Sequence, residues 1–155
     1  MRSEKNEMKP VRYGMIGGGQ GAFIGGVHRT AAAIAGNWML AAGALSSTPE
    51  KAKASGEELG LPADRTYGSW AEMLEREAAL PADVRIEAVS IVTPNDMHAP
   101  PAIAALEAGF DVVIYKPLAD SLENTQLIAD AVARTGRRIA VTHTYTGYPL
   151  VKQAR

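Results

Sequence analysis

Cysteine is absent from this 155-residue chain, which excludes a disulfide framework, a thiolate metal site and a thiol nucleophile. A reducing cytoplasm is the expected setting, and no metal is expected to bind. An excess of charge of one sign is lacking as well. Sixteen Lys and Arg face 17 Asp and Glu, and a formal net charge of -1 gives no field to draw in nucleic acid or an anionic membrane. Nor does any stretch approach the roughly 18 consecutive apolar residues that a membrane-crossing helix needs. Residues 1–10 are polar and charged, without the apolar centre of a secretory signal, so residues 1–9 are expected to fray and the chain to be soluble.

What is present is ordinary for a globular protein, with 46% apolar and 21% charged residues. A chain of this size buries most of the surface it exposes when unfolded, which predicts one core and a single domain. Apolar runs and helical patterns alternate along it. Val11–Ile16 is apolar and runs into Gly17, Gly18 and Gly19, after which residues 27–35 are alanine-rich and suit a helix. Residues 38–45 form a second apolar run, and Pro49, at a first helical position, opens a helix over 50–59. A short third strand is expected at 65–68, with Ser69 capping a helix over 70–79, where Trp70, Met73 and Leu74 recur at helical spacing. Strands at 88–92, 111–115 and 138–142 then alternate with helices at 99–108 and 122–134.

This alternation predicts an α/β fold: a doubly wound parallel sheet, the Rossmann fold, with helices on both faces and right-handed crossovers. The dinucleotide-binding domain is expected over 10–146. Leu150, Val151 and Ala154 fall on one helical face with no stop signal after them, so 147–155 reads as the start of a further helix, cut short.

The loop between the first strand and the first helix carries the first chemical signal. Gly17 permits the tight turn, and Gly19 lets the backbone approach a pyrophosphate seated at the helix N-terminus. Ala22 is the small residue where helix and strand pack, which completes a G-x-G-x-x-A fingerprint. Gln20, Gly21 and Phe23 complete the candidate contacts. A turn with no ligand is the plain alternative. Gly17, Gly19 and Gly21 also spell the G-x-G-x-G loop of methyltransferases that bind S-adenosylmethionine, but an acid precedes that loop and Met15 stands in its place. At the end of the second strand an acidic side chain would bond the ribose 2′-hydroxyl of NAD. Ser46, Ser47 and Thr48 instead leave room for the 2′-phosphate of NADP, so NAD or NADP is expected, with a lean to NADP.

Further along stand Val92, Thr93, Pro94, Asn95, Asp96, Met97 and His98, then Ala104, Leu106, Glu107, Ala108 and Gly109, then Lys116 before Pro117. With these motifs in order, residues 11–155 resemble the first domain of the glucose-fructose oxidoreductase, inositol dehydrogenase and MocA family. That domain carries a glycine loop, a T-P-N-x-x-H segment and an E-K-P segment. The resemblance implies an NAD(P)-dependent oxidoreductase moving a hydride between a nicotinamide cofactor and a sugar, cyclitol or related polyol. It puts Thr93, Pro94 and Asn95 beside the nicotinamide, with His98 just below, either at the cofactor or bonded to backbone. Lys116 becomes the catalytic ammonium that donates to a substrate hydroxyl and stabilises the developing alkoxide. His143, Thr144 and Tyr145 would lie near the substrate.

Tyr115 departs from the family pattern, in which Glu or Asp precedes the lysine. An uncharged phenol offers the ammonium only a hydrogen bond, so weaker cofactor or substrate positioning is expected. In the family a second domain supplies a D-x-x-x-H pair, whose histidine acts as general base, and forms the oligomer interface. That domain is not in this sequence, so the chain alone is expected to bind better than it catalyses, with a homo-oligomer left open. A nucleotide-binding module without catalysis is the alternative reading.

Overall fold

The computed structural model describes residues 9–154; the predicted fraying of the N-terminus falls almost wholly on residues outside these. Five strands, β1 (Val11–Ile16), β2 (Trp38–Ala44), β3 (Ala88–Ile91), β4 (Asp111–Tyr115) and β5 (Ile139–Thr142), form one sheet in the order β2-β1-β3-β4-β5. Every pairing is parallel. The connections are α1 (Phe23–Ala35), α2 (Pro49–Glu58), α3 (Trp70–Ala78), α4 (Ala99–Glu107) and α5 (Leu122–Thr135), and the short α6 (Pro149–Gln153) follows β5. This is the doubly wound Rossmann arrangement. Successive strands step outward from β1 in opposite directions, which makes the carboxyl ends of β1 and β3 the place where such sheets hold ligands.

Two expectations need correction. Residues 65–68 are not a strand: Ala63–Arg65 is a 3-10 turn, and only Thr66 pairs, in parallel with Gly43 on the outer edge of β2. Pro62 and the turn stop pairing on one side. On the other, Ser69 caps α3 by accepting from Glu72 N at 3.2 Å. The residual link is pinned from α3 by the buried Glu77, which accepts from Arg65 at 2.6 and 2.7 Å and from the Tyr67 hydroxyl at 2.8 Å.

The second correction concerns coverage. Side chains along a strand alternate between faces. On one face Ile16, Val89, Ile91, Val112 and Ile114 pack with Met73, Leu106 and Ile128 of α3, α4 and α5 into the larger core. On the other face, Tyr13, Met15, Leu45 and Ala88 pack with Ala32 of α1 into a smaller one. Beyond β3 that second face lies open. Val113, Tyr115 and Thr142 line a groove of about 820 Å³ whose opposite wall includes Ile24, Val27 and His28 of α1. Among the described residues, helices therefore cover one face as far as β5, where Ile139 and Val141 are partly buried, and the other face only in part.

Candidate functional site

The chain reverses after β1 because Gly17 and Gly18 take φ of 78° and 76°, a region that side chains rarely tolerate. Gly17 N donates to Ala44 O at 2.9 Å and Gly19 N to Leu45 O at 3.1 Å, so the loop rests on the end of β2. Ala22 is the N-cap of α1 and has no polar side chain to cap with, whereas Ser121 at the same place in α5 accepts from Asn124 N at 3.1 Å. Among the described residues the first amides of α1 therefore meet no side-chain acceptor and point, with the positive end of the helix dipole, at the carboxyl edge of the sheet. This donor set fits a pyrophosphate.

Two fingerprint residues do something other than expected. Ala22 is exposed, and the close approach of helix to turn is made by Gly18 and Gly25, where a Cβ on Gly25 would collide with the Gly18 backbone. The space that Gly19 frees is taken by α2: a Cβ there would stand 2.5 Å from Ser55 Oγ and 2.6 Å from Leu45 O.

The three motifs meet at the carboxyl edge of the sheet. A Cβ on Gly17 would lie 3.2 Å from Thr93 N, so the glycine loop touches the Thr93 turn directly. His98 ties that turn to the lysine segment, with Nε2 3.0 Å from Thr93 O and Nδ1 2.9 Å from Pro117 O. Its side chain is fully buried, which leaves no surface for a cofactor and corrects the reading that places it in direct contact. Pro94 and Asn95 are exposed at the rim, as is Lys116. At the end of β2, Ser46 Oγ accepts from Thr48 N at 3.3 Å, and Ser47 faces solvent. Phe23, 81% exposed, stands beside the loop.

Lys116 Nζ lies 5.0 Å from the centre of the Tyr115 ring. The phenol thus meets the ammonium with its negative face, a cation–π contact, rather than with its hydroxyl. Behind Tyr115 stands a residue that the sequence motifs do not flag. The His28 ring meets Tyr115 edge-on at 6.0 Å, with Nδ1 3.0 Å from Ser90 Oγ and Nε2 3.5 Å from Thr142 Oγ1. Burial holds this imidazole below its ordinary pKa. Only the fold joins these residues, which come from α1, β3, β4 and β5. His143, Thr144 and Tyr145 line the same groove as Lys116 and are exposed.

A family described as "Oxidoreductase family, NAD-binding Rossmann fold" matches residues 11–143. The chain belongs to this family. The uncharacterized oxidoreductase YfiI of Bacillus subtilis is 35% identical to it over 156 residues, covering 100% of this chain and 39% of that protein. Levoglucosan dehydrogenase of Pseudarthrobacter phenanthrenivorans is 33% identical over 154 residues, covering 96% and 37%. Among solved structures, an inositol dehydrogenase homolog from Azotobacter vinelandii, in complex with NADH and myo-inositol, superposes with a TM-score of 0.88 at 38% identity, over 94% of this chain and 38% of that one. The chain thus spans less than two fifths of these relatives. Family membership disfavours a methyltransferase, and Met15, where that reading needs an acid, is fully buried.

Proposed function

We propose that this chain is the cofactor-binding part of a dehydrogenase that, in complete form, moves a hydride between a nicotinamide cofactor and a sugar, cyclitol or related polyol. One observation carries the reading: the glycine loop, the Thr93–Asn95 turn and Lys116 converge on one edge of the sheet, two of them tied together by His98. The substrate class is supported by likeness to a levoglucosan dehydrogenase and to an inositol dehydrogenase homolog. On this reading 10–146 is the cofactor domain and 147–155 leads toward a second domain, in a cytoplasmic enzyme that acts on a small molecule.

A bound nicotinamide supplies the hydride acceptor or donor. The protein's own part is positional and electrostatic. Amides at the start of α1, with Gly17, Gly19, Gln20, Gly21 and Phe23 around them, hold the pyrophosphate. Ser46 and Ser47 face the ribose 2′ position without a carboxylate, which accommodates NAD and favours NADP. Thr93, Pro94 and Asn95 border the nicotinamide half. Lys116 donates to the substrate hydroxyl and stabilises its oxygen as the proton leaves.

The test is a fluorescence titration of the chain with NADH and NADPH, and a calorimetric one with S-adenosylmethionine. Both nicotinamides should bind, NADPH at least as tightly. Binding of S-adenosylmethionine and neither nicotinamide would overturn the assignment. In the complete enzyme, Lys116→Met should lower kcat/KM by about 10²–10³-fold, the range for losing one preorganised donor. Turnover of a polyol by the 155-residue chain alone would contradict the division of labour proposed.

A further inference from the structure

We infer that Ser55, on α2 and outside every sequence motif, is a positioning residue that sets the pyrophosphate loop before a cofactor arrives. The inference rests on the dinucleotide reading of the glycine loop. Ser55 is 1% exposed, and its Oγ donates to Lys51 O at 2.7 Å and accepts from Gln20 N at 3.0 Å. A hydroxyl has one donor and two acceptor sites. Spending the donor on its own helix fixes the rotor and turns a lone pair toward Gln20.

The loop needs such an external hold. Gly17, Gly18 and Gly21 all take positive φ, so the segment carries little intrinsic preference for the conformation observed. Gly19 lies so close to Ser55 that a Cβ would stand 2.5 Å from its Oγ, which makes the two residues complementary: one gives up a side chain, the other supplies the anchor. The second tie from Gln20 to α2, Nε2 to Glu58 Oε2 at 2.9 Å, is exposed and restrains the loop far less.

Held this way, the Gln20 amide is taken up by Ser55, and the chain is directed so that the next amides, at the start of α1, face the ligand. The helix that carries Ser55 begins directly after the Ser46–Thr48 turn. Ser55 therefore couples the pyrophosphate loop to the element that positions the ribose, and a loop ordered in advance loses less conformational freedom on binding.

The test compares NADH affinity, thermal midpoint and amide exchange at Gln20 for the unaltered chain, Ser55→Ala, Ser55→Cys and Ala52→Gly. Ala52→Gly loosens the same helix, and the Ala52 amide donates to Thr48 O rather than to the loop. Ser55→Ala should weaken NADH binding roughly tenfold, the value of one well-placed hydrogen bond with its preorganisation, and should speed exchange at Gln20. Ser55→Cys, which keeps the volume and a weak acceptor, should fall between, and it carries the comparison if the alanine variant does not fold. Ala52→Gly should stay within about twofold of the unaltered chain. Affinity unchanged in both Ser55 variants would overturn the positioning role alone. An equal loss in Ala52→Gly would reduce Ser55 to a structural residue and overturn it too. Failure of the unaltered chain to bind NADH would overturn this inference together with the dinucleotide reading beneath it.

Discussion

The two faces of the sheet are built from the same kinds of residue and have different fates. In β4, Val112 and Ile114 are 2% and 0% exposed and close the core under α4 and α5. Val113 and Tyr115, their neighbours, look across the open groove to α1. The covered face holds most of the large buried apolar side chains. The open one holds His28, Tyr115 and Lys116, with His143 at its rim. The polar groups of the covered side, Glu77 and His98, are buried and tied to fixed partners, whereas those of the open side border the groove, because a side chain locked into a close-packed core is not free to meet a ligand.

The largest effect that would break this division lies within β4. Ile114→Ala should cost about 2–5 kcal/mol through lost burial and the cavity left behind, whereas Val113→Ala, one residue away, should cost less than about 1 kcal/mol. Urea unfolding of the two variants measures the difference. Equal losses would mean that the groove wall is packed as firmly as the helical face.

Much of this was legible from local pattern. The run from β1 through the glycines to α1, and the strands and helices from β3 to β5, follow from apolar period, caps and glycine stops, each set by residues a few positions apart. The motifs also marked the loops that meet at the carboxyl edge of the sheet. What local pattern could not give was set by distant partners. Asp111–Tyr115 is apolar after its first residue and so reads as covered on both sides; on its second face α1 reaches Tyr115 through His28, while Val113 lines the open groove. The third strand shrank to Thr66 because turn and cap compete for its ends. Ala22 yielded its packing role to Gly25, and Ser55 and His28 are brought to the site by residues 35 and 62 positions away.

A smaller effect sharpens the comparison by using the open face as a titration probe. Burial lowers the His28 pKa below the ordinary 6.5, so the folded state disfavours the imidazolium. The unfolded chain therefore binds more protons as pH drops through about 6.5 toward the lowered value, and stability present above 6.5 is lost on the way down. Among the described residues no carboxylate lines the groove to offset this; its other charged or titratable members are Tyr13, Tyr115, Lys116, His143, Tyr145 and Tyr148. The thermal midpoint should fall between pH 7 and pH 5.5 and fall less in His28→Gln. An identical slope in the variant would assign the loss to groups elsewhere.

The smallest effect concerns Tyr115, the residue through which the open face reaches Lys116. The resemblance to the family predicts that losing the acid weakens positioning, and the geometry specifies what replaces it: a ring face 5.0 Å from an exposed ammonium. At an exposed site such a contact is worth about 0.5–1 kcal/mol, or roughly twofold to fivefold in affinity. Tyr115→Phe keeps the ring and should bind NADH within about twofold of the unaltered chain. Tyr115→Leu should weaken binding by up to about fivefold, and Tyr115→Asp, which restores a charge beside the lysine, should bind at least as tightly as the tyrosine. If leucine and aspartate both leave NADH affinity unchanged, in the chain and in the complete enzyme, the aromatic face does not hold Lys116. The lysine would then be positioned by the Pro117–His98–Thr93 link alone, which belongs to the backbone edge shared by both faces.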